Sequence, residues 1–175
     1  MKRLVLSMFA VALAAQASTS SLQAQISLGV GGGVTIPTGD LADAVKTGWH
    51  GLANVGYTLP SGLGFRGDLF YGQNSIEDNP LVSGNFKLAG GFGNVTYNFP
   101  GQGVRPYVIG TIGMLNTKFE DLDGETDLVF GGGAGVMFKA GSDSNIFAEA
   151  RYLIINSDPD SQKLIPITLG IRFGI

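Results

Sequence analysis

The sequence predicts an all-β protein, an eight-stranded antiparallel transmembrane up-and-down β-barrel. Three observations predict this fold. Apolar residues alternate with small or polar residues in a series of segments, and the connections between these segments alternate in length. The composition agrees, since 28 of the 175 residues are Gly and only 14% are charged. This much glycine argues against long helices, in which each Gly costs about 1 kcal/mol.

Residues 1–24 precede the alternating segments, and we interpret them as a cleaved signal peptide. A positively charged start is followed by the apolar run 4–15. That run is shorter than the roughly 20 residues that a membrane-spanning helix needs. Small residues suited to cleavage follow, with cleavage favoured after Ala24 and Ala17 as the alternative. The barrel is therefore predicted to cover residues 25–175.

Eight segments show the period of two that marks a strand with two different faces. In the first, 26–36, Ile, Leu and Val alternate with Ser, Gly and Thr. In the last, 167–175, Ile, Leu and Phe alternate with Thr, Gly and Arg. The strands between them are predicted at 49–59, 63–72, 86–99, 106–115, 127–139 and 146–155.

For two of these segments, the sequence pattern does not decide which face points inward. In 86–99 the apolar residues change parity between Phe92 and Val95. Either a β-bulge at one of the glycines 90, 91 or 93 shifts the parity, or the face assignment differs from that of the other strands. The residues 107–115 are apolar on both faces, so their pattern does not select the outward one.

The connections form two groups. Three are short and rich in turn-forming residues, at 60–62, 100–103 and 141–144. Four are longer and polar, near 37–48, 73–85, 116–126 and 156–163. Short turns at one end, long loops at the other and an even number of strands are typical of an outer-membrane barrel.

The aromatic residues concentrate at the strand ends and favour a lipid-facing outer surface. One predicted band lies beside the short turns and comprises Tyr57, Tyr97, Phe99, Tyr107, Phe138 and Phe173. The other lies beside the long loops and comprises Trp49, Tyr71 and Phe130. The alternative is a soluble periplasmic carrier with an apolar interior, but its water-facing strand positions would carry more charge than these do.

Two segments carry a family resemblance: the closing strand, 167–175, and the strand Phe147-Ala148-Glu149-Ala150-Arg151-Tyr152. With the signal peptide and all eight strands, the chain resembles the small outer-membrane β-barrel proteins of Gram-negative bacteria, the OmpX-like and OmpA-barrel-like group. The resemblance implies that the barrel-assembly machinery reads the closing strand, usually by a terminal aromatic residue. Here the chain ends in Ile175, with Phe173 two residues earlier.

Five charged residues occupy the non-apolar strand faces: Arg66, Asp68, Glu149, Arg151 and Arg172. Counted from the short-turn ends, they should lie at similar depth inside the barrel. The third and seventh strands stand on opposite walls, so a charge network across the lumen is expected. We interpret it as a plug, because buried charges are normally paired. The alternative is a narrow passage for small solutes.

The sequence argues against an enzyme, a cofactor or a nucleic-acid partner. It has no Cys and a net charge of −3, and its one histidine, His50, has no serine partner nearby in the chain. We expect the His50 side chain to form a capping hydrogen bond inside the lumen. A glycosidase needs a pair of carboxylates of which one can act as an acid. Asp68 and Glu149 each have an arginine nearby that favours the ionised form, which argues against such a pair. The glycine runs 29–33 and 131–135 do not complete a nucleotide-binding motif.

Most of the 14 carboxylates lie in the long loops. The densest run offers Asp121, Asp123, Glu125 and Asp127 as candidate ligands for a divalent cation that could bridge to lipopolysaccharide. The run lacks the spacing of an EF-hand, and a solvated acidic loop is the favoured interpretation, with no metal site. The predicted function is therefore a structural or interaction role in the outer membrane, as a monomer that presents acidic loops outside the cell.

Overall fold

The computed structural model describes residues 25–43, 45–75, 85–119, 124–157 and 161–175. These residues form a closed barrel of eight antiparallel strands in chain order, which confirms the predicted fold class. The strands are β1 Gln25–Thr38, β2 Gly48–Thr58, β3 Leu63–Ser75, β4 Asn85–Asn98, β5 Val104–Phe119, β6 Glu125–Lys139, β7 Ser144–Asn156 and β8 Gln162–Gly174. The predicted signal peptide, 1–24, lies outside the described residues.

The strand register determines which side chains meet inside the barrel. One circuit of paired residues from Ser27 returns to β1 at Pro37, ten residues further along, by way of Gly56, Arg66, Asn94, Thr111, Gly131, Leu153 and Leu164. This stagger requires the strands to tilt, by about 35–45° in barrels of this kind. Inward-facing residues of distant strands are thereby brought into the same layer.

Most strands extend further toward the long-loop end than the alternation predicts. Strand β5 was expected to end at 115 but continues to Phe119, and Thr117 is still buried inside. The predicted polar loop 37–48 is also partly folded, because a short 3₁₀ helix spans Gly39–Asp43. Leu41 and Val45, on and just after it, are buried. This loop therefore covers part of the outer mouth of the lumen.

Strand β4 has no bulge. Its pairing with β3 and with β5 runs without interruption past all its glycines. Phe86, Leu88 and Phe92 point inward, whereas Val95 and Tyr97 point outward. The parity change in the sequence thus arises because the inner face of β4 is itself apolar toward the long loops. In β5, likewise, Tyr107, Ile109 and Leu115 point inward, and their neighbours point outward.

The outer surface of the barrel is apolar at mid-strand. Leu69, Leu169 and Ile112 expose 71%, 62% and 59% of their surface. No helix among the described residues is long and apolar enough to cross a membrane. Outward-facing aromatic residues occur at both ends: Tyr57, Tyr97, Phe99, Phe138 and Phe173 at one, and Trp49, Tyr71 and Phe130 at the other. The prediction for Tyr107 was wrong, because this residue points into the lumen and is only 2% exposed.

Candidate functional site: the charged lumen

Four of the five predicted lumen charges meet inside the barrel. Arg66 and Asp68 come from β3, and Glu149 and Arg151 come from β7 on the opposite wall. All four side chains are almost completely buried. We call this group the ion quartet. Because each position is an inward one on its strand, the alternation alone places these side chains in the lumen.

The quartet is a ring in which each arginine binds both carboxylates. Arg66 donates from Nη1 to Oε2 of Glu149 at 2.9 Å and from Nη2 to Oε1 at 3.0 Å, a two-pronged contact. Arg151 donates to Glu149 Oε1 at 2.6 Å and to Asp68 Oδ2 at 2.6 Å. Arg66 also donates from Nη2 to Asp68 Oδ2 at 3.0 Å, and its Nε lies 2.8 Å from Asp68 Oδ1 without hydrogen-bond geometry.

Neutral side chains complete the contacts of the quartet. The hydroxyl of Tyr107 donates to Glu149 Oε2 at 2.7 Å. Asn94 donates to the backbone oxygen of Arg66, and its own Oδ1 accepts from Thr111 at 2.7 Å and from Arg151 at 3.3 Å. The sequence analysis missed these partners. Tyr107 was assigned to the outer aromatic band, but it shares the inward parity of Thr111 and Thr117 in β5.

Arg172 does not join the quartet. Glu149 pairs with Thr168, and Arg172 lies four residues beyond Thr168 toward the C-terminus. Its Nη1 donates to Met137 Sδ at 3.5 Å, and its guanidinium lies 5.3 Å from the centroid of the Phe147 ring. Arg172 was expected in the same network as the other four charges, but it forms no ion pair with them. Both oxygens of Glu149 already accept two hydrogen bonds each, which fills the capacity of a carboxylate.

A layer of buried apolar side chains lies in the lumen on the long-loop side of the quartet. Phe70 and Phe92 lie with ring centroids 5.7 Å apart. Other buried members of the same hydrophobic cluster are Leu52, Phe86, Leu88, Leu115, Val129, Leu153, Ile155 and Leu164. The sequence analysis expected small residues and charges inside. The structure instead has an ionic layer toward the short turns and an apolar layer toward the long loops.

His50 is buried in the lumen and both its ring nitrogens contact threonines. Nδ1 lies 3.0 Å from the hydroxyl of Thr35, and Nε2 lies 2.8 Å from that of Thr168. The ring also stacks on Phe70 with centroids 5.0 Å apart. These contacts use the whole hydrogen-bonding capacity of an imidazole. No serine or carboxylate is among them, so the geometry is that of a packing and capping residue.

The candidate cation loop is described only in part. Asp121 and Asp123 lie outside the described residues. Glu125 is exposed at the start of β6, and Asp127 accepts a hydrogen bond from the Ser157 hydroxyl at 2.8 Å. Within the described ranges, no group of three or more side chains of the kinds that ligate metals converges.

We expect Tyr107→Phe to destabilise the barrel by about 1.5–3 kcal/mol, because it removes a hydrogen bond to a buried carboxylate. The measurement is urea unfolding of the folded barrel in detergent or lipid. Tyr97→Phe is the matched control, since Tyr97 is an exposed residue of the outer aromatic band. Equal stabilities of the two variants would contradict the role given to Tyr107.

Comparison with known proteins supports the assignment of this chain as an outer-membrane barrel. The sequence matches the family described as the outer membrane protein beta-barrel domain over residues 4–173. Neisserial surface protein A (NspA) is similar in structure, with 17% identity, a TM-score of 0.67 and coverage of 88% of this chain and 99% of its own. A comparison with curated proteins gave no match.

A second similar structure is Ail, the attachment invasion locus protein of Yersinia pestis, solved in complex with the heparin analogue sucrose octasulfate. It is 19% identical, has a TM-score of 0.57 and covers 89% of this chain and 100% of its own. Structural similarity at sequence identities of 17% and 19% establishes a shared fold and nothing further. Because the family match spans almost the whole chain and the barrel shares the fold of these proteins, the chain belongs to the outer membrane protein beta-barrel domain family.

Proposed function

We propose that this chain is a non-conducting barrel of the outer membrane with a structural or interaction role, and that it is not an enzyme. One observation supports the proposal: two groups of buried side chains lie in the lumen, the ion quartet and the apolar layer beyond it. A passage for solutes would require both layers to move. Moving the quartet is costly, because it separates buried charges that satisfy one another.

The proposed route to the membrane begins with secretion and removal of residues 1–24. The barrel-assembly machinery would then recognise the closing strand, β8, in which Phe173 points outward, and the exposed Ile175 that follows it. In the membrane, the monomer would present its long, acidic loops on the cell surface. Asp40, exposed on the short helix of the first loop, is one such carboxylate among the described residues.

Outer-membrane lipids, including lipopolysaccharide, are the proposed partners of the outer wall. The mid-strand surface is apolar and is bounded by aromatic residues, as a lipid-facing wall requires. Lys87 and Lys118 are paired directly across β4 and β5 on the outward face, near the long loops. Two like charges in this position repel each other. A lipid phosphate between them would offset that repulsion.

The expected result in planar bilayers is that purified wild-type barrel gives no discrete conductance steps, because the lumen is filled. Current should be recorded over a range of voltages and salt concentrations, with protein-free detergent as the control. Reproducible steps that are abolished by altering Arg66 or Arg151 would instead establish the alternative function, a narrow conduit for small solutes.

A further inference from the structure

The short-turn end of the lumen contains a buried cation without a counter-charge. Nε and Nη2 of Arg172 are buried and form no hydrogen bond with any residue that the structure describes. The contacts of this guanidinium with the Met137 sulfur and the Phe147 ring are both to uncharged groups. Neither contact neutralises the positive charge.

Arg172 lies outside the ion pairs of the lumen. The ion quartet is neutral by itself, with two arginines and two carboxylates bound to one another. Arg172 is therefore an additional positive charge, partly buried near the short-turn mouth of the lumen. An unpaired charge in such surroundings is costly, and proteins normally supply a partner for it.

The neighbouring residues add positive charge. Asn145 faces inward, is the strand partner of both Arg172 and Lys139, and accepts a hydrogen bond from Arg105 Nη2 at 2.6 Å. Arg105, Lys139 and Arg172 thus occupy the short-turn ends of β5, β6 and β8 on the lumen side. Asp143 lies at the same mouth, two residues before Asn145 and beside Gly174 of β8. Its side chain is exposed, and neither Nε nor Nη2 of Arg172 forms a hydrogen bond with it.

We propose that this mouth of the barrel, formed by Arg172, Arg105, Lys139 and Asn145, binds a small dissolved oxyanion such as phosphate. The two unbonded atoms of Arg172, Nε and Nη2, form one edge of the guanidinium. That edge presents two parallel N–H groups, a spacing that matches two oxygens of a phosphate, sulfate or carboxylate. The anion enters from the short-turn side, since the quartet and the apolar layer close the other direction.

The test is a titration of folded barrel with inorganic phosphate, with sodium chloride at equal ionic strength as the control for screening. The readouts are the Nε–Hε resonance of Arg172 in a ¹H–¹⁵N spectrum and the stability to urea, because a ligand that binds only the folded state stabilises it. We expect the resonance to shift with phosphate and not with chloride. Phosphate should also raise the stability of the wild type.

The variant Arg172→Gln should weaken phosphate binding by about tenfold or more. The matched control is Lys163→Gln, which removes a positive charge from the outward face of β8 near the long loops and should leave binding unchanged. Phosphate binding that persists in Arg172→Gln would overturn the proposal. So would a wild-type Arg172 resonance that does not respond to phosphate, a measurement that does not depend on whether the variant folds.

Discussion

Replacing Glu149 with Gln is expected to lower the free energy of unfolding of the barrel by about 3–5 kcal/mol. Glu149 accepts hydrogen bonds from Arg66, Arg151 and Tyr107 across the lumen. Its loss leaves two buried arginines to share the single carboxylate of Asp68. The measurement is urea unfolding of folded protein, followed by the mobility difference between folded and unfolded barrel on gels.

Two further variants make the Glu149 experiment specific. Glu125→Gln removes an exposed carboxylate at the start of β6 and should change stability by less than about 0.5 kcal/mol. Adding Arg151→Gln to Glu149→Gln restores the charge balance of the layer and should recover part of the lost stability. A Glu149→Gln barrel as stable as the wild type would remove the basis for a charge-paired plug.

Gly33→Ala is expected to impair barrel closure and to cost about 1–3 kcal/mol or more. Gly33 lies in β1 at the seam where the first strand pairs with the last, opposite Thr168. A Cβ at this position would overlap the carbonyl oxygen of Ile167 and lie 3.0 Å from Cα of Thr168. These are backbone atoms of β8, so relief requires the two strands to separate. A smaller heat-modifiable folded fraction and a lower unfolding midpoint are the expected observations.

The matched control for Gly33→Ala is Gly110→Ala. Gly110 lies in β5, and a Cβ there meets nothing within 4 Å. The change should be neutral or add about 0.4–1 kcal/mol, because alanine restricts the unfolded chain. If both variants folded equally well, glycine would not be needed for close contact at the β1–β8 seam.

The alternation of residue types predicted the strands and the inward positions of Arg66, Asp68, Glu149 and Arg151. These predictions succeeded because side-chain direction in a strand depends only on parity. The quartet also follows from topology, since the third and seventh of eight strands face each other. The position of Arg172 could not be obtained in this way. Which inward residues share a layer depends on the stagger of the closed barrel, and counting from strand ends does not include it.

The inner face of β4 shows a second limit of pattern reading. Phe86, Leu88 and Phe92 point inward, so an apolar residue in this barrel is not always a lipid-facing one. An eight-stranded barrel has an interior just wide enough for side chains to fill, and apolar as well as charged side chains are buried there. A parity rule that takes apolar as outward therefore fails where the lumen itself is apolar. Tyr107 was placed on the outer wall because it is an aromatic residue near a strand end, whereas its hydroxyl bonds to Glu149 inside the lumen.

The most direct test of the central claim is lipid accessibility along β3 in bilayers that contain lipopolysaccharide. The chain has no cysteine, so a spin label can be attached to single cysteines at the outward positions Phe65 and Leu69 and at the inward position Phe70. Oxygen dissolved in lipid is expected to relax the outward labels strongly and the inward label weakly. Outward labels reached instead by a water-soluble nickel reagent would contradict a barrel whose outer wall lies in lipid.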